Sequence, residues 1–444
     1  MAGPTDGRGR KVPGERGPCF LGSGSPARPK GGAIMRHRRP HPGGPVTNTD
    51  RSFIPLALPD IGAAEEAEVL AVLRGGRLAL GPKATEFERQ VAAFSGFPFG
   101  ISASSGTTAL HLAVRGLGIG PDDCVVTTSF SFIASSNCLR YEGAEPVFVD
   151  IDRDTLCISP DLVGAYLDSC KDDGDDLRDP RTGRRVAAIL TVDVFGHPAD
   201  MPALLDIAKA WNLPVIADSC EALGSAYRRT DGSWVHAGTG AAAATFAFYP
   251  NKQITTAEGG MVVVADPDLE ERIRSLRNQG RRLGDSWLHH SRLGFNYRLD
   301  ELSAALGVAQ MRRVDEILGN RRRVAGWYAE ALAGIDGIEL TRVAEWARPA
   351  WFVQAVRVAE GIDRDRLIEV LARLGVEAKA YFEPAIHRQP PYAGDDGLLA
   401  GPLPETEAAS AGTLIVPFWT AMTEDQVARV TGTLRTALAE VAAR

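Results

Sequence analysis

Between Ser102 and Ala265 short apolar runs alternate with helical stretches, and this rhythm restricts the fold more than any other feature of the chain. Cys124-Val-Val-Thr-Thr128, Glu145-Pro-Val-Phe-Val-Asp150, Val186-Ala-Ala-Ile-Leu-Thr-Val192 and Val215-Ile-Ala217 have strand length and are mostly apolar. Such runs suit strands covered on both faces, as in a mostly parallel sheet flanked by helices. Ala134 to Tyr141 and a stretch through Leu204 to Trp211 read as two of the covering helices. Upstream, Ala63 to Leu73 reads as an amphipathic helix stopped by Gly75-Gly76. The polar run Lys171 to Arg185 reads as an exposed loop. The expected class is α/β: a large domain over residues 51–300 holds the mostly parallel central sheet. Over 301–444 a long linking helix leads to a smaller C-terminal α+β domain, with a strand at Phe352 to Val358 and a helix at Asp363 to Leu374.

In an open α/β sheet, ligands sit at the carboxyl ends of the strands. Three groups fall at such places. Lys252 lies in Phe246-Ala-Phe-Tyr-Pro-Asn-Lys252, before the Gly-ended turn that leads into Met261-Val-Val-Val-Ala265. A lysine held between strands can be desolvated, which eases loss of its proton and suits it to forming a Schiff base with an aldehyde. Asp218 closes Val215-Ile-Ala-Asp218, where a carboxylate can keep a pyridine nitrogen protonated. Alone, it would read as a helix cap. It lies 34 residues before the lysine, room for two further strands. Third, Ser102-Ala-Ser-Ser-Gly-Thr-Thr108 precedes an apolar helix whose first turn offers free amides and hydroxyls to an anion. Phosphate cup, ring acid and lysine, in that order, are the parts needed to hold pyridoxal 5'-phosphate (PLP).

With these residues in place, the chain closely resembles the PLP-dependent nucleotide-sugar aminotransferases of fold type I, the DegT/DnrJ family, from about Ile54 to the C-terminus. Gly81-Pro-Lys-Ala-Thr-Glu-Phe-Glu88 resembles a motif near the family's N-terminal end. Ser105-Gly-Thr-Thr-Ala-Leu110 matches the phosphate loop, which makes Gly106 and Thr107 the expected contacts. Thr128-Ser-Phe-Ser-Phe132 matches the segment whose last aromatic stacks on the cofactor ring, the role implied for Phe132. Asp218 matches the pyridinium partner, Glu221 a position near the cofactor's 3-oxygen, and Lys252 the Schiff-base lysine. Gly294-Phe-Asn-Tyr-Arg298 resembles a motif whose Asn, here Asn296, reaches the phosphate of the neighbouring subunit's cofactor. Tyr381-Phe-Glu-Pro-Ala-Ile-His387 resembles the segment lining the sugar pocket, which implies substrate contacts for Tyr381 and His387. Taken alone, His387 would read as a structural hydrogen-bonder.

Two positions depart from the family pattern. Ala247 stands where many relatives have a Ser that donates to the phosphate, and Ala257 stands where they have Gly. The second change should cost little unless the backbone there needs a positive φ. The resemblance implies an aminotransferase that moves an amino group from glutamate or glutamine to a keto-sugar nucleotide, as a cytoplasmic homodimer with shared active sites. Retention of Lys252, where the related sugar dehydrases have His, favours transamination. The rival readings are a keto-cyclitol aminotransferase and a non-catalytic PLP-binding regulator.

Composition is ordinary for a globular protein, at 44% hydrophobic and 24% charged residues, and no apolar run has the length of a membrane span. The net charge of −7 is unevenly spread. Residues 1–50 hold nine Lys/Arg and three Asp/Glu, so they carry +6 and the rest −13. This basic Gly/Pro/Arg-rich extension has almost no apolar periodicity and is expected to be disordered and dispensable, with Met35 an alternative start. No nucleic-acid or membrane partner is expected. The six cysteines form no CxxC pair and read as reduced thiols; Cys220, two residues past Asp218, should pack near the cofactor. Neither they nor His289-His290 has metal-site spacing, so no metal is expected. Arg281-Arg282 reads as a surface pair.

Overall fold

The computed structural model describes residues 53–442 apart from 173, 175, 283, 285 and 287. The extension over 1–50 lies outside the described residues. Helices α1 (Ala63–Gly75) and α2 (Pro82–Ser95) come first, followed by strand β1 (Phe99–Ala103) and helix α3 (Gly106–Gly116). The alternation continues through β2 (Asp123–Thr128), α4 (Ala134–Arg140), β3 (Glu145–Val149) and α5 (Pro160–Ser169). After the short β4 (Lys171–Asp172) and β5 (Leu177–Arg178) come β6 (Arg185–Val192), α6 (Met201–Ala210) and β7 (Val215–Asp218). Then β8 (Ala226–Arg228), β9 (Trp234–His236) and β10 (Ala243–Ala247) precede the lysine, and β11 (Gly260–Val264) follows it. So three strands, rather than two, lie between Asp218 and Lys252. Of these only β10 joins the central sheet, while β8 and β9 belong to a separate small sheet that Ala347–Arg348 completes.

The central sheet runs β1-β11-β10-β7-β6-β2-β3. Pairings from β10 to β3 are parallel, and β11 lies antiparallel between β1 and β10. Every residue of β2, β7 and β11 is buried, as strands covered on both faces require. Register aligns Val192 and Thr245 on either side of Asp218, so the carboxyl ends of β6, β7 and β10 share one edge. That edge is where the predicted site residues converge.

The chain continues through α7 (Pro267–Arg277), α8 (Glu301–Arg312) and α9 (Val314–Leu332). The expected long helix is thus two helices, interrupted at Arg313 (φ −119°, ψ 20°). Beyond it lie β12 (Ile338–Leu340), β13 (Ala347–Arg348), β14 (Gln354–Val358), α10 (Arg364–Arg373) and β15 (Lys379–Ala380). Helix α11 (Pro404–Gly412), β16 (Thr413–Val416) and α12 (Glu424–Ala442) complete the described chain. Strands β12, β14, β16 and β15 form an antiparallel sheet with its own apolar cluster, including Tyr328, Leu367, Val430 and Leu434.

Polar side chains tie distant parts of the chain together. The Glu301 carboxylate accepts from the Lys83 and Ala84 amides and so caps α2 from α8. A Cβ on Gly81 would stand 2.4 Å from that carboxylate, so a side chain there would displace the cap. Buried Glu88 binds Ser102 at the end of β1 and pairs with Arg274 and Arg277 of α7. Burial opposes its ionisation, yet these arginines hold its carboxyl below the usual range.

Two expectations need correction. Lys171 to Arg185 is not wholly an exposed loop. Asp179 is 1% exposed and accepts from Tyr166 Oη (2.7 Å), the Arg181 and Thr182 amides and the Arg181 guanidinium. A fully partnered carboxylate can be buried, which polarity alone does not reveal. Ala257 has φ +67°, the left-handed conformation that favours glycine, so this alanine does carry strain. Ala257→Gly should therefore stabilise the protein by about 1 kcal/mol, read as a higher denaturation midpoint at unchanged m-value.

Candidate active site

A cleft of about 430 Å³ opens at the carboxyl edge of the central sheet. Its floor is Asp218, the last residue of β7. One carboxylate oxygen accepts from Ser135 Oγ at 2.7 Å, the other from the Cys220 amide at 3.2 Å. These bonds fix the carboxylate in the cleft. At one end α3 begins, with Ser105 capping the Thr108 amide at 3.1 Å. Among the described residues no acceptor meets the Gly106 and Thr107 amides, so the first turn presents two free donors and the positive end of the helix dipole. This end is tightly built. A Cβ on Gly106 would lie 2.7 Å from that of Ala247, and one on Gly260 would lie 2.2 Å from the Ser105 carbonyl oxygen.

Lys252 lies beyond the end of β10, half-buried. Its Nζ stands 3.3 Å from Glu221 Oε1 and 3.8 Å from the centre of the Phe352 ring. Glu221 Oε2 accepts from the Phe195 amide at 2.9 Å, so the acid is gripped from two sides. Burial pushes its carboxyl above the usual range; Lys252 and the Phe195 amide oppose that, and Asp218 adds to it. Phe195 has φ +58°, a left-handed backbone that points its amide at the glutamate. The next residue, Gly196, lacks room for a side chain, since a Cβ there would lie 2.9 Å from the Glu221 carbonyl oxygen.

Gly106, Thr107, Phe132, Asp218, Glu221, Lys252 and Tyr381 all line this cleft. Phe132 is 63% exposed and leaves an apolar face free at the mouth. Two predicted site residues lie elsewhere. His387 is buried outside the lining. It exchanges hydrogen bonds with Ser129, from its ring Nδ1 at 2.7 Å and its amide at 2.9 Å, and meets Glu407 at 3.3 Å. Asn296 is exposed on a loop bridged to Asn278, also outside the lining. Cys220 lines the cleft, and burial pushes its thiol well above the ordinary value, which disfavours the thiolate. Arg282 pairs with Glu271 outside the lining.

Sequence reasoning missed Ser135, Phe195 and Phe352. Ser135 had no distinguishing signal. The Phe195-Gly196 pair hinted at a tight turn, and Phe352 lies 100 residues past the lysine it supports.

The residues present fit PLP. Free amides at a helix N-terminus suit a phosphate, a buried and partnered carboxylate suits a pyridinium nitrogen, and a shielded amine suits an aldehyde.

Directly behind this cleft is an acid the sequence did not single out. Asp193 is fully buried, accepts from Ser219 Oγ (2.6 Å) and the Ala199 amide (2.8 Å), and donates its own amide to the Asp218 carbonyl (3.0 Å). Burial pushes its carboxyl up to about 7 against those hydrogen bonds, with Asp218 and Glu221 adding to the rise. The folded pKa lies above the unfolded one, so the folded state holds more protons between pH ~4 and the folded pKa. This contribution to stability is full below the window, falls as pH rises through it and stays lost above. Asp193→Asn keeps the bond from the Ala199 amide on Oδ1, reverses the other so that Nδ2 donates to Ser219 Oγ, and removes the titration. Its melting temperature relative to wild type, measured without cofactor, should therefore rise from pH 5 to pH 8; a constant difference would contradict the assignment.

Comparison with known proteins agrees with this geometry. Residues 59–435 match the profile of the DegT/DnrJ/EryC1/StrS aminotransferase family. The GDP-perosamine synthase of Caulobacter vibrioides is 37% identical over 87% of this chain and 98% of its own. A dTDP-3-amino-3,4,6-trideoxy-alpha-D-glucose transaminase of Streptomyces venezuelae is 35% identical over 85% of this chain and 93% of its own. The crystal structure of DesV from Streptomyces venezuelae superposes with a TM-score of 0.75 at 34% identity, covering 86% of this chain and 98% of that one. The chain belongs to the DegT/DnrJ/EryC1/StrS aminotransferase family and is a PLP-dependent aminotransferase.

Proposed function

We propose that the enzyme moves an amino group from an amino acid, glutamate or glutamine, to a keto-sugar nucleotide. The observation that carries this reading is Lys252, shielded between Glu221 and Phe352 in the cleft that also holds Asp218 and the open start of α3. The relatives named for making GDP- and dTDP-linked amino sugars support the acceptor class.

When bound, PLP supplies an aldehyde for the amine and a ring that takes up the electron pair left when a C–H bond breaks. Gly106, Thr107 and the first turn of α3 would hold its phosphate, Asp218 its ring nitrogen, and Phe132 a ring face. Lys252 would hold it covalently through Nζ, and the same nitrogen, as a free amine, would take up the proton lost from the donor's α-carbon. Glu221, with its raised pKa, is placed to share that proton with Nζ. Enzyme charged with PLP and given glutamate or glutamine alone should change its absorbance and release one keto acid per subunit; a keto-sugar nucleotide should then reverse the change. No change with any amino acid would overturn the reading. In Asp218→Asn the rate of this step should fall by orders of magnitude.

The active unit is a homodimer whose sites are completed across the interface. Among the cleft-lining residues Lys252 is the only cation, and the lysine linked to the cofactor is no counter-charge for several anions. Leu288 and Leu293, before the Asn296 loop, are 81% and 79% exposed, an arrangement expected of a face that another subunit covers. The enzyme acts in the cytoplasm, in keeping with the free thiols of Cys124, Cys138, Cys157, Cys170 and Cys220. Among the described residues no helix is long and apolar enough to cross a membrane. Asn296→Ala should weaken PLP retention by roughly tenfold, the loss expected for one hydrogen bond to a charged group, while the fold stays intact. Unchanged retention would remove Asn296 from the site.

A further inference from the structure

Three polar residues that line the cleft, Tyr249, Asn251 and Glu258, are not among those assigned above to the cofactor. Two of them carry acceptor oxygens that no protein group among the described residues meets. Asn251 Oδ1 is buried with no hydrogen-bond donor, an arrangement that is costly unless a ligand supplies one. Glu258 is exposed, and among the described residues no cation or side-chain donor pairs with its carboxylate. The turn that presents it is fixed. Thr256 Oγ1 donates to the Glu258 carbonyl at 2.7 Å, and Gly260 presses against the Ser105 carbonyl at the start of α3. Tyr249 is 53% exposed and offers a flat apolar ring beside these acceptors.

We propose that Asn251, Glu258 and Tyr249 form the wall that selects the acceptor sugar by its hydroxyl groups, an inference that rests on the keto-sugar reading above. The argument is one of complementarity. Amide and carboxylate oxygens can only accept, so they need a ligand that donates, and a hydroxylated ring donates from several positions. Glutamate, the donor used in the test below, brings carboxylates, which have nothing to give to this wall and are repelled by Glu258. Its one donating group, the amine, is the reacting group and belongs at Lys252. The wall therefore favours one of the two substrates that must use the cleft in turn. Tyr249 adds an apolar face for the C–H side of the sugar ring.

The test separates the two half-reactions in the PLP-loaded enzyme. Glutamate alone probes the donor half, and a panel of GDP- and dTDP-linked keto-deoxyhexoses probes the acceptor half, with KM read for the one turned over fastest. Glu258→Ala and Asn251→Ala should each raise the acceptor KM by roughly tenfold or more. Glu258→Gln, which keeps a carbonyl acceptor, should raise it less. In both Glu258 variants the KM for glutamate should hold or fall, because a repelling charge is gone. A misfolded or loosened site would instead worsen both halves together. Acceptor KM within twofold of wild type in all three variants, or parallel losses in both halves, would overturn the proposal. If the wild type turns over glutamate but no sugar nucleotide of the panel, the keto-sugar reading fails and this wall fails with it.

Discussion

The site depends on the parallel register that sets Val192, Asp218 and Thr245 in one row. It gathers the ends of β6, β7 and β10 on a single edge, and each strand exits there into a loop that contributes to the cleft. The exit from β6 leads to Asp193 and the Phe195 amide, that from β7 to Asp218 and Glu221, and that from β10 to Lys252. Antiparallel β11 closes the arrangement by pressing Gly260 onto the Ser105 carbonyl, which brings the start of α3 to the same edge. The order of these parts along the chain matters less than the edge they share.

Three acids, Asp193, Asp218 and Glu221, crowd around the single turn after β7, and Lys252 is the cation beside them. Such crowding is costly when every carboxyl is ionised, and burial raises two of them, Asp193 to about 7. The cost is tolerable because each acid is held by designated donors: Ser219 and the Ala199 amide, Ser135 and the Cys220 amide, and the Phe195 amide with Lys252. An acidic floor suits a cationic ring and a protonatable amine. It suits bound anions poorly; in our proposal they are met at the start of α3 and by the neighbouring subunit.

Much of this could be read from sequence because the parts lie at ends of elements. Asp218 closes an apolar run, Lys252 precedes another, and Gly106 opens a helix, so local pattern and strand-end logic located all three. Contacts between elements distant in sequence escaped that logic. Phe352 supports Lys252 from 100 residues away, Ser135 steadies Asp218 from the first turn of a short, ordinary helix, and the Phe195 amide reaches Glu221 through a left-handed backbone. Asp179 was hidden for another reason: its burial rests on four donors within and beside its own loop, which composition cannot show. His387 illustrates the reverse. A resemblance implied a ligand contact, and the structure ties that ring to Ser129 and Glu407.

The central claim is that one amine, Lys252 Nζ, holds the cofactor in this cleft. Borohydride reduction of the PLP-loaded enzyme followed by peptide mapping tests it most directly. The account predicts a single modified peptide, the one containing Lys252, and no fixed cofactor in Lys252→Ala. Attachment at another lysine, or fixation that survives the alanine substitution, would contradict it.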